Sequence, residues 1–561
     1  MRSGSADQSS RWRSIAQAAV PWVVGAAFVA VGLYSVAPPA AVPSDAPAAE
    51  FSAARAISHI EVIAREPHPM GSRAIATVRD YLVTELEELG LEPEFQTISA
   101  PSYFESGDPV DVVNVIATIP GTASTGAIAL MAHYDTVPTT PGANDDTSGV
   151  ATILEAARAI LAGSHLRNDV ILLFTDGEEP APRPGSRAFV RESPVFGDIA
   201  IVVNLETNGG SGPSTLVETG EPAAWLVKNY AAGVSNPAAY SFITTTSALI
   251  GDVGTDFGPF RNAGVPGFHF AYMRGSPIYH SPADNPGSVS WDSVQHHGSN
   301  ALGIVRHFGA LDLGAIPESG ESVYFALRPF FVQYPASWSI PVALLGAVLL
   351  LMGFVRESRR HDRQMGSVIL SGATALLVTL AATLIATLVW LLVTAIRSTP
   401  SVLESSLYFM IAFGLGGSLA LWLSRRMPIK RRMRGPGFLL VWIALALFTA
   451  IAAPGFSPLF TLPALAGAVA YNWHTRPTDW SAVLRFALVA APTAVLLIPA
   501  IDFFFQFGQP RPGNPDSSVP SVAAVAFLLA VLGGGLMVST WRGAGAGIDA
   551  SNLREAETIG S

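Results

Sequence analysis

The sequence predicts an α/β domain built on a largely parallel sheet, joined to an all-α domain that crosses a membrane several times. Three observations carry this. Across residues 51–313, amphipathic helical patterns alternate with short apolar runs, as expected of strands connected by helices. From residue 340 onward the chain is a succession of apolar segments. Only 14% of the 561 residues are charged and 50% are hydrophobic, whereas about a quarter are charged in an ordinary soluble domain.

The elements follow in order. Arg2, Arg11 and Arg13 precede an apolar stretch at 15–36, long enough at about 1.5 Å per residue to cross about 30 Å of hydrocarbon. Its length, with Pro21 and Trp22 near its start, favours an anchor over a cleaved signal. Residues 38–50, rich in Pro and Ala, read as an extended linker. Ile75, Val78, Leu82, Leu86 and Leu89 recur at helical spacing and end at Gly90. The runs 112–119, 127–132, 170–174 and 200–204 are aliphatic or β-branched, as in buried strands. One domain over 51–313 accounts for them.

Residues 314–339 form a juxtamembrane segment in which Tyr324, Phe325, Phe330, Phe331, Tyr334 and Trp338 suit a bilayer interface. About seven spans follow within residues 340–540, at 340–355, 367–396, 407–423, 438–453, 456–471, 486–501 and 522–538, before a tail at 541–561. Arg356, Arg359, Arg360 and Arg363 follow the first of these. Arg425, Arg426, Lys430, Arg431, Arg432 and Arg434 follow the third, and Arg476 and Arg485 the fifth. Alternate loops are therefore basic. With the N-terminal span this makes eight crossings, places both termini in the cytoplasm and leaves the α/β domain outside it.

Composition also bounds the chemistry. The chain has no cysteine, so disulfides, thiolate metal sites, iron–sulfur clusters and a cysteine nucleophile are excluded, and any metal must be held by His, Asp and Glu. The net charge is −10 and the basic residues sit in short runs between apolar segments, which argues against nucleic acid as a partner.

Polar residues gather where strands are expected to end. The run 127–132 leads into His133-Tyr134-Asp135, and ligand-binding groups in open α/β sheets lie at the carboxyl ends of strands. Asp135, two residues beyond His133, shares its side of an extended chain and could accept the other imidazole N–H. Pro141-Gly142-Ala143-Asn144-Asp145-Asp146-Thr147-Ser148-Gly149 precedes a helical pattern, and taken alone its two carboxylates read as helix caps. The run 170–174 leads into Glu178 and Glu179; adjacent residues in extended chain face opposite ways, so one can ligate a metal and the other act as a general base. The run 200–204 leads to Glu206, and Tyr279-His280-Ser281-Pro282-Ala283-Asp284 supplies a second histidine. Two histidines and several carboxylates suit a two-metal hydrolytic site, with zinc the favoured ion.

These motifs, in this order, resemble metallopeptidase family 28, the co-catalytic di-zinc exopeptidases, over residues 51–313. Pro67-His68-Pro69-Met70-Gly71-Ser72, the Asn204-Leu205-Glu206 form and the attached multispan region resemble its endoplasmic-reticulum and vacuolar membrane-protease branch. The resemblance implies a mixed, mostly parallel sheet with helices on both faces and two zinc ions per chain. His133, Asp145 and Glu206 would hold one, and Glu179, Asp145 and His280 the other, with Asp145 bridging. It further implies that Glu178 is the general base acting on a zinc-bound water, that Asp135 orients His133, that Tyr279 stabilises the oxyanion, and that the Asp145–Asp146 peptide is cis. Glu206 stands where many secreted members have Asp, in the region that would recognise a substrate amine. Asp256 resembles another family motif and reads equally as pocket-shaping or as a turn residue. His68, His269, His296, His297 and His307 match no ligand position and read as structural.

The expected function is a membrane-anchored zinc peptidase, an aminopeptidase by resemblance, with peptide substrates and the lipid bilayer as partners and the cell membrane as its location. The alternatives are a catalytically inactive receptor on the same fold, a single-zinc enzyme like the glutaminyl cyclases, and a transporter with an accessory α/β domain. Every position required for catalysis is chemically competent, which disfavours the receptor. The spans contain few ionisable residues, which disfavours transport of charged substrates.

Overall fold

A computed structural model describes residues 23–102, 108–180, 182–251, 253–359, 365–396, 434–473, 479–507 and 523–531, together with a few isolated positions. The N-terminal arginines, most of the expected span 407–423, the basic cluster at 425–432 and the C-terminal tail lie outside the described residues.

A seven-stranded sheet in the order β1-β2-β4-β3-β5-β7-β6 organises the α/β domain. The strands are β1 (Glu94–Ala100), β2 (Val110–Ile119), β3 (Ala127–His133), β4 (Val170–Thr175), β5 (Ile199–Thr207), β6 (Thr215–Thr219) and β7 (Gly267–Tyr272). The four central strands β4, β3, β5 and β7 run parallel, while β1, β2 and β6 are antiparallel to their neighbours. The sheet is thus mixed and mostly parallel, and the carboxyl ends of its four central strands open on one edge.

Strand alternation divides the core in two. Ile128, Leu130 and Ala132 of β3 face one cluster, and Ala127, Ala129 and Met131 face the other. The first face packs against α2 (Ala53–Ile63), α3 (Arg73–Glu88), α4 (Thr147–Leu161), α6 (Ala223–Gly233) and α9 (Trp291–Phe308). The second packs against α5 (Pro184–Glu192) and α8 (Phe257–Asn262), where Phe189 stacks on Phe260 with ring centroids 5.7 Å apart. Because both faces are covered, β3 and β4 are apolar up to their last residue, with no polar alternation.

The chain enters through the apolar helix α1 (Val23–Ser35). It leaves the α/β domain through the hairpin β8 (Ser322–Leu327) and β9 (Phe330–Pro335) and passes into α10 (Ser339–Ser358) and α11 (Met365–Ile396). Further on come α12 (Arg434–Ala452), α13 (Pro458–Asn472) and α14 (Asp479–Phe507). Four of the described helices, α10, α11, α12 and α14, are long and apolar enough to cross a membrane. The expected span 456–471 forms α13, a helix of 15 residues with Pro463 inside it. At about 1.5 Å per residue it falls short of the hydrocarbon thickness, and most of its side chains are buried within the bundle.

One apolar cluster joins the two regions. Tyr240, Phe242 and Ile243, at the start of α7 (Ser241–Ile250), together with Met273 and Phe325, pack with Trp442, Leu459, Leu497 and Phe503 of the apolar helices.

Candidate metal centre

Each polar residue that the sequence sets at a strand end reaches the carboxyl edge of the sheet. His133 is the last residue of β3, Glu178 and Glu179 follow β4, Glu206 is the penultimate residue of β5, and His280 follows β7. Asp145 and Asp146 stand before α4 and divide two tasks between them. The Asp146 carboxylate caps the helix by accepting the Gly149 N–H at 3.1 Å; a Cβ on Gly149 would lie 2.5 Å from that carboxylate. Asp145 turns toward the histidines, and the peptide joining the two residues is cis. Gly142, at φ +65, allows this turn, since a Cβ there would meet Thr136 at 2.4 Å and the Asp145 carbonyl at 2.5 Å.

Two groups of side chains converge. His133, Asp145 and Glu206 offer ligand atoms all within 4.8 Å of one another, and so do Asp145, Glu179 and His280. Asp145 belongs to both: its Oδ1 lies 3.3 Å from His133 Nε2 and its Oδ2 lies 3.3 Å from His280 Nε2. Glu206 Oε1 is 3.6 Å from His133 Nε2, and Glu179 Oε2 is 3.0 Å from His280 Nε2. Glu178 belongs to neither group.

The electrostatics call for added positive charge. Burial pushes the carboxyls of Glu179 and Glu206 up to about 7, and that of Glu178 well above the usual carboxylate range. Burial would raise Asp145 too, but hydrogen bonds from His133 and His280 hold it below its ordinary value. Burial would lower His280, yet Asp145 and Glu179 bring it up to about 10. His133 is likewise carried well above an ordinary imidazole against the effect of burial, chiefly by the charge of Glu206. Glu178, Glu179 and Glu206 thus have a raised affinity for a proton, while Asp145 stays ionised between the two imidazoles. Glu179 Oε1 is also buried with no hydrogen-bond partner, whereas buried polar atoms are ordinarily satisfied. An all-nitrogen-and-oxygen donor set of two imidazoles and three carboxylates fits zinc.

The surrounding contacts refine the expected roles. His133 Nδ1 lies 3.0 Å from the carbonyl oxygen of Asp135 and 3.4 Å from its Oδ1. The Asp135 carboxylate accepts the backbone N–H groups of Glu178 and Glu179 at 3.0 and 3.2 Å. His133 thus meets the Asp135 backbone more closely than its carboxylate, and that carboxylate holds the turn bearing both glutamates. Tyr279 stacks on His280 with ring centroids 3.8 Å apart, and burial raises its phenol well above the usual range, so it stays protonated. His280 itself has φ +55, a strained backbone held by its neighbours. Asp256 is buried and accepts the Thr175 hydroxyl at the end of β4. Five further histidines make contacts within the fold: His68 with the Glu66 carbonyl, His269 with Asn204, His296 with the Asn236 carbonyl, His297 with Ser214 and His307 with Asn229.

One residue is assigned no role by sequence reasoning. Asp284 is buried; its Oδ1 accepts the backbone and side-chain N–H groups of Asn144 at 2.8 and 2.7 Å, and its Oδ2 accepts the Asp145 N–H at 3.2 Å. It locks the turn bearing Asp145 to the loop bearing His280. The available signal is its place four residues after His280. Asp284→Ala is expected to lower zinc affinity by about 10- to 100-fold, as for other residues that orient ligands. Zinc content of the variant against buffered free zinc checks this, and unchanged affinity would refute it.

Residues 114–305 match the sequence model of Peptidase family M28. The vacuolar membrane protease of Candida albicans is 32% identical over 300 residues, covering 52% of this chain and 34% of that protein. Human endoplasmic reticulum metallopeptidase 1 is 28% identical over 243 residues, covering 42% of this chain and 26% of that protein. The matched region thus spans about a third or less of these relatives. Among solved structures, BSAP, a zinc aminopeptidase from Bacillus subtilis, aligns over 46% of this chain and 95% of its own at 16% identity, with a TM-score of 0.38. Over residues 114–305 the α/β domain is thus similar in sequence to peptidase family M28, and over a wider stretch to these membrane proteases.

Proposed function

We propose that this chain is a membrane-anchored di-zinc metallopeptidase that acts as an aminopeptidase on peptides outside the cytoplasm. The observation that carries the reading is the shared carboxylate: Asp145 directs one oxygen to the His133–Glu206 group and the other to the Glu179–His280 group. His133, Asp145 and Glu206 would hold one zinc, and Asp145, Glu179 and His280 the other. Bound there, zinc supplies Lewis acidity that polarises the scissile carbonyl and acidifies water. Glu178, half-buried and outside both ligand groups, takes a proton from the attacking water and returns it to the leaving amine, a task suited to a carboxylate of raised proton affinity. Asp135 holds the Glu178–Glu179 turn through its two amide bonds. Tyr279 donates its phenolic proton toward the developing oxyanion.

The arginines before the first apolar segment and those that follow the span at 340–355 support an extracytoplasmic site with the N-terminus in the cytoplasm. The test is metal analysis of the intact purified protein coupled to hydrolysis of a mixed peptide library. Two zinc ions per chain and release of N-terminal residues are expected. A protein that binds no zinc sinks the metal assignment, release from the C-terminus overturns the aminopeptidase direction, and one zinc with cyclisation of N-terminal glutamine makes the enzyme a cyclase.

A further inference from the structure

Helix α14 carries a charge whose partner lies in the α/β domain. Within the stretch Val483–Phe507, long and apolar enough to cross a membrane, the ionisable residues are Arg485 and Asp502. They stand about 25 Å apart along the helix axis at about 1.5 Å per residue, near opposite faces of a hydrocarbon layer. Asp502 Oδ2 lies 2.9 Å from Arg274 Nη2, which also donates to the Val36 carbonyl, just beyond α1, at 3.0 Å. One turn further along α14, the Gln506 carbonyl accepts the hydroxyl of buried Ser276 at 3.1 Å. Two successive turns of one apolar helix thus hold residues 274 and 276.

Those residues begin the loop that ends at the metal centre. The Arg274 backbone exchanges hydrogen bonds with Ser211 at 2.8 and 3.0 Å and also accepts the Gly210 N–H at 2.9 Å. Gly275, at φ +77, then turns the chain into a short 3-10 helix, Ser276–Ile278. Tyr279 and His280 follow directly. Between the grip on α14 and His280 there are three residues, two of them in that 3-10 helix, so a shift at Ser276 has little slack in which to dissipate.

We propose that Asp502 and Arg274 are positioning residues through which the membrane helices set the loop carrying Tyr279 and His280. The membrane region then does more than tether the peptidase domain: it completes the placement of one half of the metal centre. An ionised carboxylate in an otherwise apolar helix is costly, and replacement of such a pair by apolar residues is often neutral or favourable for stability. A pair kept only for stability would therefore be dispensable, whereas a positioning pair would not.

The experiment uses the full-length protein in detergent or nanodiscs, comparing wild type, Asp502→Leu, Arg274→Met, the double variant and Asp502→Glu. The first readout, amide hydrogen exchange of the segment 275–285 in zinc-free protein, does not depend on any metal assignment. About tenfold faster exchange is expected in Asp502→Leu and Arg274→Met, no further increase in the double variant, and recovery in Asp502→Glu. The second readout rests on the metal reading of His280: a zinc titration should show the ion on the His280 side weakened by about 10- to 100-fold and the His133 side unchanged. If wild type binds no zinc, the metal reading fails while the exchange data still decide the coupling. Unchanged exchange in both single variants, or equal weakening of both zinc ions, would overturn the proposal. Should Asp502→Leu fail to accumulate, Asp502→Asn takes its place and is read in the same way.

Discussion

Glu178→Gln should lower kcat for peptide hydrolysis by about 10³-fold, in the middle of the range for loss of a general base, with zinc content and melting temperature unchanged. The substitution keeps the size of the side chain and removes its capacity to take a proton. Glu178 lies outside both ligand groups, so metal binding has no reason to change, and its backbone N–H still donates to Asp135. The pH dependence follows from the sign of the shift. A base works only when deprotonated, and burial raises the proton affinity of Glu178, so wild-type kcat/KM should rise with pH through an acidic limb that the variant lacks. Single-turnover kinetics on zinc-saturated protein measure both effects. Hydrolysis retained at the wild-type rate would remove Glu178 from the base role.

The parts of this arrangement that can be read from the sequence are those in which local chemistry and tertiary position agree. β3, β4 and β5 are buried on both faces and therefore appear as unbroken apolar runs, and the residues at their ends stand out because polarity begins abruptly there. β1 escapes the same reading because an edge strand needs little apolar content: its residues are largely exposed or half-buried. β7 escapes it for another reason. Its sequence Gly267-Phe268-His269-Phe270-Ala271-Tyr272 is fully buried, yet His269 interrupts the aliphatic pattern and is made tolerable by Asn204 on the adjacent strand β5. Asp284 and Asp502 are unreadable in a stronger sense. Each acts on a residue more than a hundred positions away, and no local spacing encodes that meeting. Asp135 lies between these cases: its proximity to His133 is legible, but the carboxylate's grip on the turn after β4 depends on how the parallel strands align.

Asp145→Asn should cost the protein both zinc ions, whereas Glu206→Gln and Glu179→Gln should each weaken one. The difference follows from geometry alone. Glu206 and Glu179 each reach one histidine, while the two oxygens of Asp145 each lie 3.3 Å from a different one. An amide at position 145 carries no negative charge: one side meets its N–H₂ group, which repels a cation, and the other keeps only a neutral oxygen in place of the shared carboxylate. Thermal melting makes this quantitative, because a ligand that binds only the folded state stabilises it by about 2.7 kcal/mol at a concentration one hundred times its dissociation constant. Two sites at that saturation would stabilise wild type by about 5 kcal/mol, each single-site variant by about half as much, and Asp145→Asn by almost nothing. The zinc-dependent shift in melting temperature thus reports how many sites a carboxylate serves without requiring any substrate. Were Asp145→Asn to retain half of the shift, Asp145 would be a ligand to one ion only, and the two groups of side chains would be independent sites rather than one centre built around a shared residue.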